Sequence, residues 1–398
     1  MILSLFGHGV TTKAIAKRFA PNCLIYDDKF KENSHDEFGN KLLQCSEFDP
    51  EKSDIEIPSP GFLPNHELIR QAKHLTSEYD FFQMPPSVWI SGTNGKTTTT
   101  QMLKHLLSSR KAVEGGNIGN PLANLDKNAP IWILETSSFT LHYTEHTAPQ
   151  IYLLLPIRPD HISWHGSFEE YEKAKLKPLF YMAEGSAAIV PQEYAGISSN
   201  AMLIGYENSH DLAQKMGLNI DKIKIKEPFL LDALLALSAA KILFDEADID
   251  KINAFKIDRH KLEEFRDKQG RLWVNDTKGT NIDATIEALK RYKDKKILII
   301  LGGDDKGVDL TRFFDFMRDF DAEIFAIGSN AKKIMNFCAA INKNAHECKT
   351  LDAAVKEIDK RLDKNGVGLL SPAAASLDQF SSYIERGELF ISLVKALG

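Results

Sequence analysis

The segment Val88–Thr97 constrains the fold more than any other part of the chain. A short apolar run, Val88–Ile90, leads into a loop that carries Gly92 and Gly95, and a helix-forming stretch follows from Lys96. The backbone N–H groups of such a loop and the positive end of the helix dipole together form a cradle for an anion. The segment therefore predicts a strand, a phosphate-binding turn and a helix in succession.

Within this loop, Lys96 is placed to reach the terminal phosphates of a nucleoside triphosphate, and the Thr97 hydroxyl is placed to face Mg²⁺. The longer form of the pattern has a further glycine where this chain has Ile90, so only the shorter form is present. The alternative is a tight turn between strand and helix whose lysine faces the helix and binds no phosphate. We expect ATP phosphates to contact Gly92, Thr93, Asn94, Gly95, Lys96, Thr97 and Thr98.

Bulk properties exclude several classes of protein. The net charge of −6 argues against a general nucleic-acid binder, which needs clustered lysine and arginine. The four cysteines form no CxxC pair, which favours a reducing compartment over disulfides or a cysteine-bound zinc. No apolar run is long enough for a membrane span, and the N-terminus indicates a first strand and not a signal peptide.

Short apolar runs alternate with longer amphipathic stretches along the whole chain, which predicts α/β architecture with parallel sheets. The chain length favours two or three domains. We expect a Rossmann-like domain over residues 1–86, a central phosphate-loop domain over 87–257 and a second Rossmann-like domain over 258–398. Pro85 and Pro86 mark the first boundary, because proline stops helices and restricts the residue before it.

Polar side chains follow several of the predicted strands. Glu135 follows Ile131–Leu134, at the strand end where a second oxygen ligand for Mg²⁺ is needed beside Thr97, although a helix-capping acid is the alternative. His161 follows Ile151–Leu155 and could contact a metal or substrate, although a histidine there is more often an ordinary surface or packed residue.

Three more strand-end loops lie in the third predicted domain and are rich in lysine, serine, threonine and aspartate. They span residues 275–281, 301–307 and 371–380. Each alone could be a plain turn, but together they predict a ligand site at the carboxyl edge of an open sheet. Near the N-terminus, Gly7-His-Gly9 with Asp27 twenty residues on is a weak dinucleotide fingerprint, since Thr12 replaces the third glycine.

These features together resemble the Mur ligase family, most closely its D-glutamate-adding branch, over the whole chain. The phosphate loop is common to that family and to folylpolyglutamate synthetase. More selective are the strings at 116–119, 135–139, 160–161, 275–281 and 301–304, and above all Leu370–Phe380. The resemblance implies an ATP- and Mg²⁺-dependent ligase that joins D-glutamate to UDP-N-acetylmuramoyl-L-alanine through an acyl phosphate. It also implies a bacterial, cytoplasmic enzyme of peptidoglycan precursor synthesis, which we expect to be monomeric.

The resemblance also assigns roles to residues by position. Two magnesium sites are implied, with Lys175, as its carbamate, among the ligands. The implied catalytic residues are Lys96, Glu135, His161 and Lys175, and the implied metal ligands are Thr97, Glu135, His161 and Lys175. Further ATP contacts are implied at Asp232, Lys261 and Asp276. The UDP-sugar contacts are Val10, Thr11, Asp27, Gly61 and Asn117, and those to D-glutamate are His161, Thr280, Lys306, Ser376 and Leu377.

The chain departs from the family pattern at three places. The start of the helix near 229 keeps only Asp232 as a polar group, Lys261 stands where an arginine is usual, and Asp28 adds an acid to the uracil loop. Three other functions stay open from the residues alone. They are another amino-acid ligase of the superfamily, a phosphate-loop ATPase without ligase activity, and a non-catalytic UDP-sugar-binding protein.

Overall fold

The structure is a computed structural model that describes residues 1–305, 307–318 and 320–398. The chain divides into two compact units, 1–255 and 256–398, and each is considered by itself. The first unit contains two sheets and the second contains one. The predicted α/β class with parallel sheets is confirmed, whereas the division of the first unit near residue 86 stays a prediction.

The first sheet has five strands in the order β3-β4-β2-β1-β5, and all its pairs except β3–β4 are parallel. Its strands are β1 Leu3–Phe6, β2 Cys23–Tyr26, β3 Ser34–His35, β4 Lys41–Leu43 and β5 Ile55–Pro58. The helices of this part are α1 Val10–Phe19, α2 Glu67–Gln71 and α3 Glu78–Phe81. The buried β1 carries the loop that contains Gly7 at its carboxyl end.

The second sheet has six parallel strands in the order β11-β10-β9-β6-β8-β7. Its strands are β6 Ser87–Ser91, β7 Val113–Gly116, β8 Trp132–Glu135, β9 Ile151–Leu154, β10 Ala187–Pro191 and β11 Met202–Tyr206. The helices are α4 Lys96–Leu106, α5 Ser138–Tyr143, α6 Ile162–His165, α7 Phe168–Tyr181, α8 Ser209–Lys215, α9 Phe229–Phe244 and α10 Ile249–Asn253. The phosphate-loop strand β6 lies between β8 and β9, so their carboxyl ends meet at one edge.

The first two sheets share one buried apolar cluster. It includes Leu5 and Ile25 from the first sheet, Trp89 and Leu134 from the second, and Tyr79 from α3 between them. The Tyr79 ring packs edge-on against Trp89, with centroids 4.8 Å apart. Residues 1–255 are compact as one unit because burial of this surface stabilises both sheets together.

The sheet of the second unit has six strands in the order β12-β13-β17-β14-β15-β16, and all its pairs except β12–β13 are parallel. Its strands are β12 Glu263–Arg266, β13 Leu272–Asn275, β14 Ile297–Leu301, β15 Ala322–Ile327, β16 Ala345–Lys349 and β17 Val367–Leu370. The helices are α11 Ile282–Arg291, α12 Thr311–Met317, α13 Ala331–Ala340, α14 Leu351–Asp359 and α15 Tyr383–Ala396. Among the described residues, no helix is both long and apolar enough to cross a membrane.

Candidate active site

The phosphate loop joins β6 to α4 as the sequence predicts. Gly95 is the N-cap of α4 with φ +88°, and Gly92 has φ +129°. Lys96 Nζ donates to the carbonyl oxygens of Gly92 at 3.1 Å and Thr93 at 2.8 Å. The lysine therefore lies back along the loop in this structure, at the mouth of the cradle.

Both glycines are required by close neighbours as well as by their backbone conformation. A Cβ on Gly92 would lie 2.5 Å from Leu155 Cβ, and one on Gly95 would lie 2.4 Å from Asp232 Oδ1. Asp232 is buried on α9, so α9 brings its carboxylate directly against the loop. Of the predicted loop residues, Asn94 is exposed, Thr97 is half-buried, and Thr93 and Thr98 are buried.

Glu135 is the last residue of β8 and pairs with Ile90 of β6. Asn117 Nδ2 donates to Glu135 Oε1 at 2.7 Å, and the Asn117 N–H donates to the Glu135 carbonyl oxygen at 2.8 Å. The other carboxylate oxygen, Oε2, is buried without a hydrogen-bond partner in the described part of the chain. A buried carboxylate oxygen is costly unless it is paired, so this atom fits the hard-cation ligand that the sequence predicts.

Lys175 lies on α7 with only 1% of its surface exposed. Its Nζ donates to the Gly92 carbonyl oxygen at 2.7 Å, the same oxygen that Lys96 approaches. Burial, reinforced by the charge of Lys96, holds the pKa of the Lys175 amine well below its ordinary value. The amine is thus kept closer to its neutral, nucleophilic form than a surface lysine.

His161 occupies the left-handed region, with φ +53°, at the start of α6. Its N–H is bonded to Asp160 Oδ1 at 2.9 Å, and its ring packs against Phe139, with centroids 4.7 Å apart. Phe139 belongs to α5, which begins three residues after Glu135. The structure therefore brings His161 to the same sheet edge as Glu135 and the phosphate loop.

The sequence did not identify Tyr171 or His165 as residues of this edge. The Tyr171 hydroxyl is hydrogen-bonded to Thr93 Oγ1 at 3.0 Å, and its ring lies 4.8 Å from Lys175 Nζ. His165 Nε2 is bonded to Ser138 Oγ at 3.0 Å, and burial lowers its pKa to about 4. The spacing of Tyr171 four residues before Lys175 on one helix face was the signal available for the first of them.

The loop after β1 is bound to the protein at each of its first three amides. The N–H of Gly7 donates to the Tyr26 carbonyl oxygen, that of His8 to Asp27 Oδ2 at 2.7 Å, and that of Gly9 to Thr12 Oγ1 at 3.0 Å. Thr12, which stands in place of the third glycine, is buried, and its hydroxyl also donates to the Gly7 carbonyl oxygen at 2.6 Å, so its side chain holds the loop in shape. The next residues, Val10 and Thr11, open α1.

One more predicted nucleotide-sugar contact, Gly61, and the additional acid Asp28 lie at loops of the first unit. Gly61 is exposed, and its carbonyl oxygen accepts a hydrogen bond from Trp164 Nε1 at 3.1 Å. The additional acid Asp28 is engaged by His66 Nε2 at 3.1 Å. The extra carboxylate of the predicted uracil loop is thus hydrogen-bonded to a neighbouring loop.

In the second unit, the loops after β13, β14 and β17 converge at the carboxyl edge, since β17 lies between β13 and β14. The Ala373 N–H donates to the Gly279 carbonyl oxygen at 3.0 Å, and Asp304 and Ala375 exchange two backbone hydrogen bonds. Thr280 and Leu377 are exposed at this edge and Ser376 is buried. Lys306, the remaining predicted D-glutamate contact, lies outside the described residues.

Asp276 and Lys261 are both bonded within the second unit. Asp276 is buried, accepting from Ser371 Oγ at 2.6 Å and from the Leu262 N–H at 3.2 Å. Burial raises the pKa of this carboxyl group to about 7. Lys261 Nζ lies 3.2 Å from Asp258 Oδ2. Asp276 thus anchors the backbone of the segment that precedes β12.

Known proteins resemble this chain over its full length. The family profile of the Mur ligase middle domain matches residues 90–210. A UDP-N-acetylmuramoylalanine–D-glutamate ligase of Campylobacter jejuni is 56% identical over 403 aligned residues, covering 100% of both chains. A ligase of the same name from Helicobacter pylori is 46% identical, covering 99% of both. The chain belongs to this ligase family. The predicted membership of the Mur ligases, and of their D-glutamate-adding branch, is confirmed.

Solved structures of other Mur ligases share the fold. A MurF ligase of Thermotoga maritima in complex with ADP superposes with a TM-score of 0.61 at 15% identity, covering 94% of this chain and 89% of that one. A MurF of Acinetobacter baumannii gives a TM-score of 0.62 at 16% identity, covering 95% and 86%. At such low identity these likenesses establish the Mur ligase fold alone.

The close approach of Asp232 to the phosphate loop gives a first prediction for this Mur ligase. Gly95→Ala is expected to lower the free energy of unfolding by roughly 2–4 kcal/mol, from positive-φ strain and a clash with Asp232. Gly185→Ala is the matched control, because Gly185 has φ +83° and open space around its Cβ position. It should cost about 1–2 kcal/mol from strain alone. If urea denaturation showed the same loss of unfolding free energy for Gly95→Ala and Gly185→Ala, the packing of Asp232 against the loop would be contradicted.

The raised pKa of Asp276 gives a second prediction, with a defined sign. Between the ordinary value of 3.8 and the folded value of about 7, the folded ligase binds a proton that the unfolded chain releases. Stability therefore falls as pH rises through this window, by up to roughly 4 kcal/mol. Asp276→Asn should remove this fall, so the variant gains stability relative to wild type between about pH 5 and about pH 8. Urea denaturation at the two pH values measures both free energies of unfolding. A difference between variant and wild type that is the same at both pH values would contradict the raised pKa of Asp276.

Proposed function

We propose that this chain joins D-glutamate to UDP-N-acetylmuramoyl-L-alanine, with ATP cleaved to ADP and phosphate, as a step of peptidoglycan precursor synthesis. The full-length identity to ligases whose name states this reaction carries the proposal. The gathering of Lys96, Glu135, His161 and Lys175 at one sheet edge supports it from the geometry, because a phosphoryl-transfer site needs cations and metal ligands together.

In the proposed reaction, a carboxylate oxygen of the UDP-linked substrate attacks the terminal phosphorus of ATP and ADP leaves. The amine of D-glutamate then attacks the acyl carbon, phosphate leaves, and the amine loses its proton as the amide forms. The loop amides from Gly92 to Thr98 hold the ATP phosphates. Lys96 moves from the Gly92 and Thr93 carbonyl oxygens to the transferring phosphoryl group, whose charge it stabilises.

The site fits the magnesium ions that the family resemblance implies. Thr97 and Glu135 would hold one ion, since the buried Glu135 Oε2 needs a partner, and His161 and Lys175 would hold the other. When bound, Mg²⁺ neutralises phosphate charge. An amine is a poor ligand for this ion, so we include the carbamate of Lys175 in the proposal. Its nitrogen bonds to the carbon of CO₂ and loses a proton, which the lowered pKa of the amine favours.

Further roles are proposed for the remaining residues. Asp232, Lys261 and Asp276 contact the nucleoside part of ATP or its phosphates. The N–H groups of Val10 and Thr11 bind the diphosphate of the UDP-sugar, because the preceding amides are already bonded within the protein. Asp27, Gly61 and Asn117 complete that site. Thr280, Ser376, Leu377 and Lys306, with His161, bind D-glutamate, whose carboxylates require hydroxyl, N–H and ammonium donors.

Phosphate release by the purified full-length chain tests the proposed function. With ATP, Mg²⁺ and UDP-N-acetylmuramoyl-L-alanine, release is expected to depend on D-glutamate, and L-glutamate should not replace it. Omission of the nucleotide sugar should also abolish release. Phosphate release at the same rate with and without D-glutamate, or without the nucleotide sugar, would contradict the proposed ligase activity. It would favour a phosphate-loop ATPase without ligase activity.

A further inference from the structure

Arg386 is a buried arginine of α15 whose charge is not neutralised by a carboxylate. Only 1% of its surface is exposed, and in the described part of the chain the hydrogen bonds of its guanidinium group go to neutral oxygen atoms and not to a carboxylate. Burial lowers its pKa to about 10, and the distant charge of Asp378 opposes that shift. Arginine is seldom fully buried without such a partner, because desolvation of the charge is costly.

The guanidinium group is instead surrounded by oxygen atoms of two strand-end loops. Nε donates to Thr277 Oγ1 at 2.9 Å, and Nη2 donates to the carbonyl oxygens of Thr277 at 3.0 Å and Ala374 at 3.2 Å. Nη1 donates to the Ala375 carbonyl oxygen at 3.4 Å. The third loop is close as well, since a Cβ on Gly303 would lie 3.3 Å from Nη1. One side chain therefore fixes the relative positions of these loops.

The orientation of one peptide group links Arg386 to the ligand side of these loops. The Ala375 carbonyl oxygen accepts from Arg386 and from the Asp304 N–H at 3.0 Å. The Ala375–Ser376 peptide bond is not among the cis bonds, and in a trans peptide the C=O and the following N–H point in opposite directions. The Ser376 N–H therefore points away from Arg386, and it has no hydrogen-bond partner within the described chain.

We propose that Arg386 is a positioning residue for the amino-acid pocket, which aims the Ser376 N–H and its loop at a carboxylate of D-glutamate. This role rests on the proposed function of the chain. The contacts explain why arginine is needed, because the planar fork binds three carbonyl oxygens and a hydroxyl that an ammonium group cannot reach together. The unneutralised positive charge beneath the pocket also favours a dicarboxylate substrate over a neutral amino acid.

The test compares the KM values of the three substrates in variants of the full-length ligase. Arg386→Gln is expected to raise the KM for D-glutamate by about tenfold or more, with the KM values for ATP and the UDP-sugar within about threefold of wild type. Arg386→Lys should give a smaller rise, since it keeps the charge and loses the fork. Arg271→Gln is the matched control. Arg271 is also buried in the second unit but is paired with Asp267 and Asp359, so its loss should lower stability without changing the KM for D-glutamate.

A second pair of variants, at Thr277, tests the same role if the Arg386 variants do not fold. Thr277 is fully buried, so Thr277→Val keeps its shape and removes the acceptor of Arg386 Nε, whereas Thr277→Ser keeps the hydroxyl. The valine variant should raise the KM for D-glutamate several-fold and the serine variant should not. An unchanged KM for D-glutamate in folded variants, or equal rises in KM for all three substrates, would overturn the positioning role of Arg386. Either result would leave the proposed function of the chain intact. A wild-type chain that does not use D-glutamate would overturn the proposed function and this role with it.

Discussion

Replacing Lys96 with glutamine is expected to lower kcat of the ligase reaction by about 10³-fold. The lysine lies at the mouth of the phosphate loop, bonded to the Gly92 and Thr93 carbonyl oxygens, so its ammonium group can move to the transferring phosphoryl group. Glutamine has similar length but no charge to offset the charge that develops there. Steady-state phosphate release at saturating ATP measures the loss.

Lys104→Gln is the control for this prediction. Lys104 lies in the last turn of the same helix, α4, where its Nζ donates to the Ala112 carbonyl oxygen. It shares the helix and the charge change but lies far along α4 from the loop. Activity near wild type is expected for Lys104→Gln. A Lys96→Gln variant that retains more than about a tenth of wild-type kcat would show that the loop lysine does not stabilise the transition state.

Replacing Lys175 with alanine is expected to lower activity by about 10²–10³-fold and to leave space that a small carboxylate can occupy. The side chain is buried beside the Gly92 carbonyl oxygen, and its lowered pKa favours reaction with CO₂. Formate or acetate should therefore restore part of the activity of Lys175→Ala, because either supplies the anionic oxygens of the lost carbamate. Rescue is measured as phosphate release against added carboxylate.

Lys173→Ala is the matched control, because Lys173 lies on the same helix with its side chain exposed near Glu170. It should keep wild-type activity and show no response to formate. Full activity of Lys175→Ala without added carboxylate would reject the carbamate. A loss of activity that no small carboxylate reverses, in a variant that folds as wild type does, would also count against it.

The sequence predicted the elements that are buried on both faces of the sheets. The apolar runs Val88–Ile90, Ile131–Leu134 and Ile151–Leu155 correspond to β6, β8 and β9 to within one residue at each end, and the helix expected near 229 begins at Phe229. These segments are continuous apolar runs of the kind that central parallel strands and buried helices require. The strand-loop-helix order by itself predicts that the phosphate loop and Glu135 lie at one sheet edge.

The elements that the sequence did not predict lie at sheet edges or act through long-range contacts. Ala345–Lys349 and Glu263–Arg266 contain no fully buried residue, and most of their side chains are polar, so their pairing with a neighbouring strand has no local apolar signal. Arg386 was likewise not recognised, because its partners lie on loops far from it in sequence. The joint core of the first two sheets depends on packing that no single segment indicates.

Transfer of an oxygen isotope from the substrate carboxylate to phosphate tests the proposed acyl-phosphate route. UDP-N-acetylmuramoyl-L-alanine with ¹⁸O in its terminal carboxylate is incubated with the full-length chain, ATP, Mg²⁺ and D-glutamate, and the released phosphate is examined by mass spectrometry. Because a carboxylate oxygen bonds to phosphorus and leaves with it, we expect the phosphate to carry one ¹⁸O atom from the substrate. Unlabelled phosphate, formed together with the D-glutamyl product, would contradict the acyl-phosphate route.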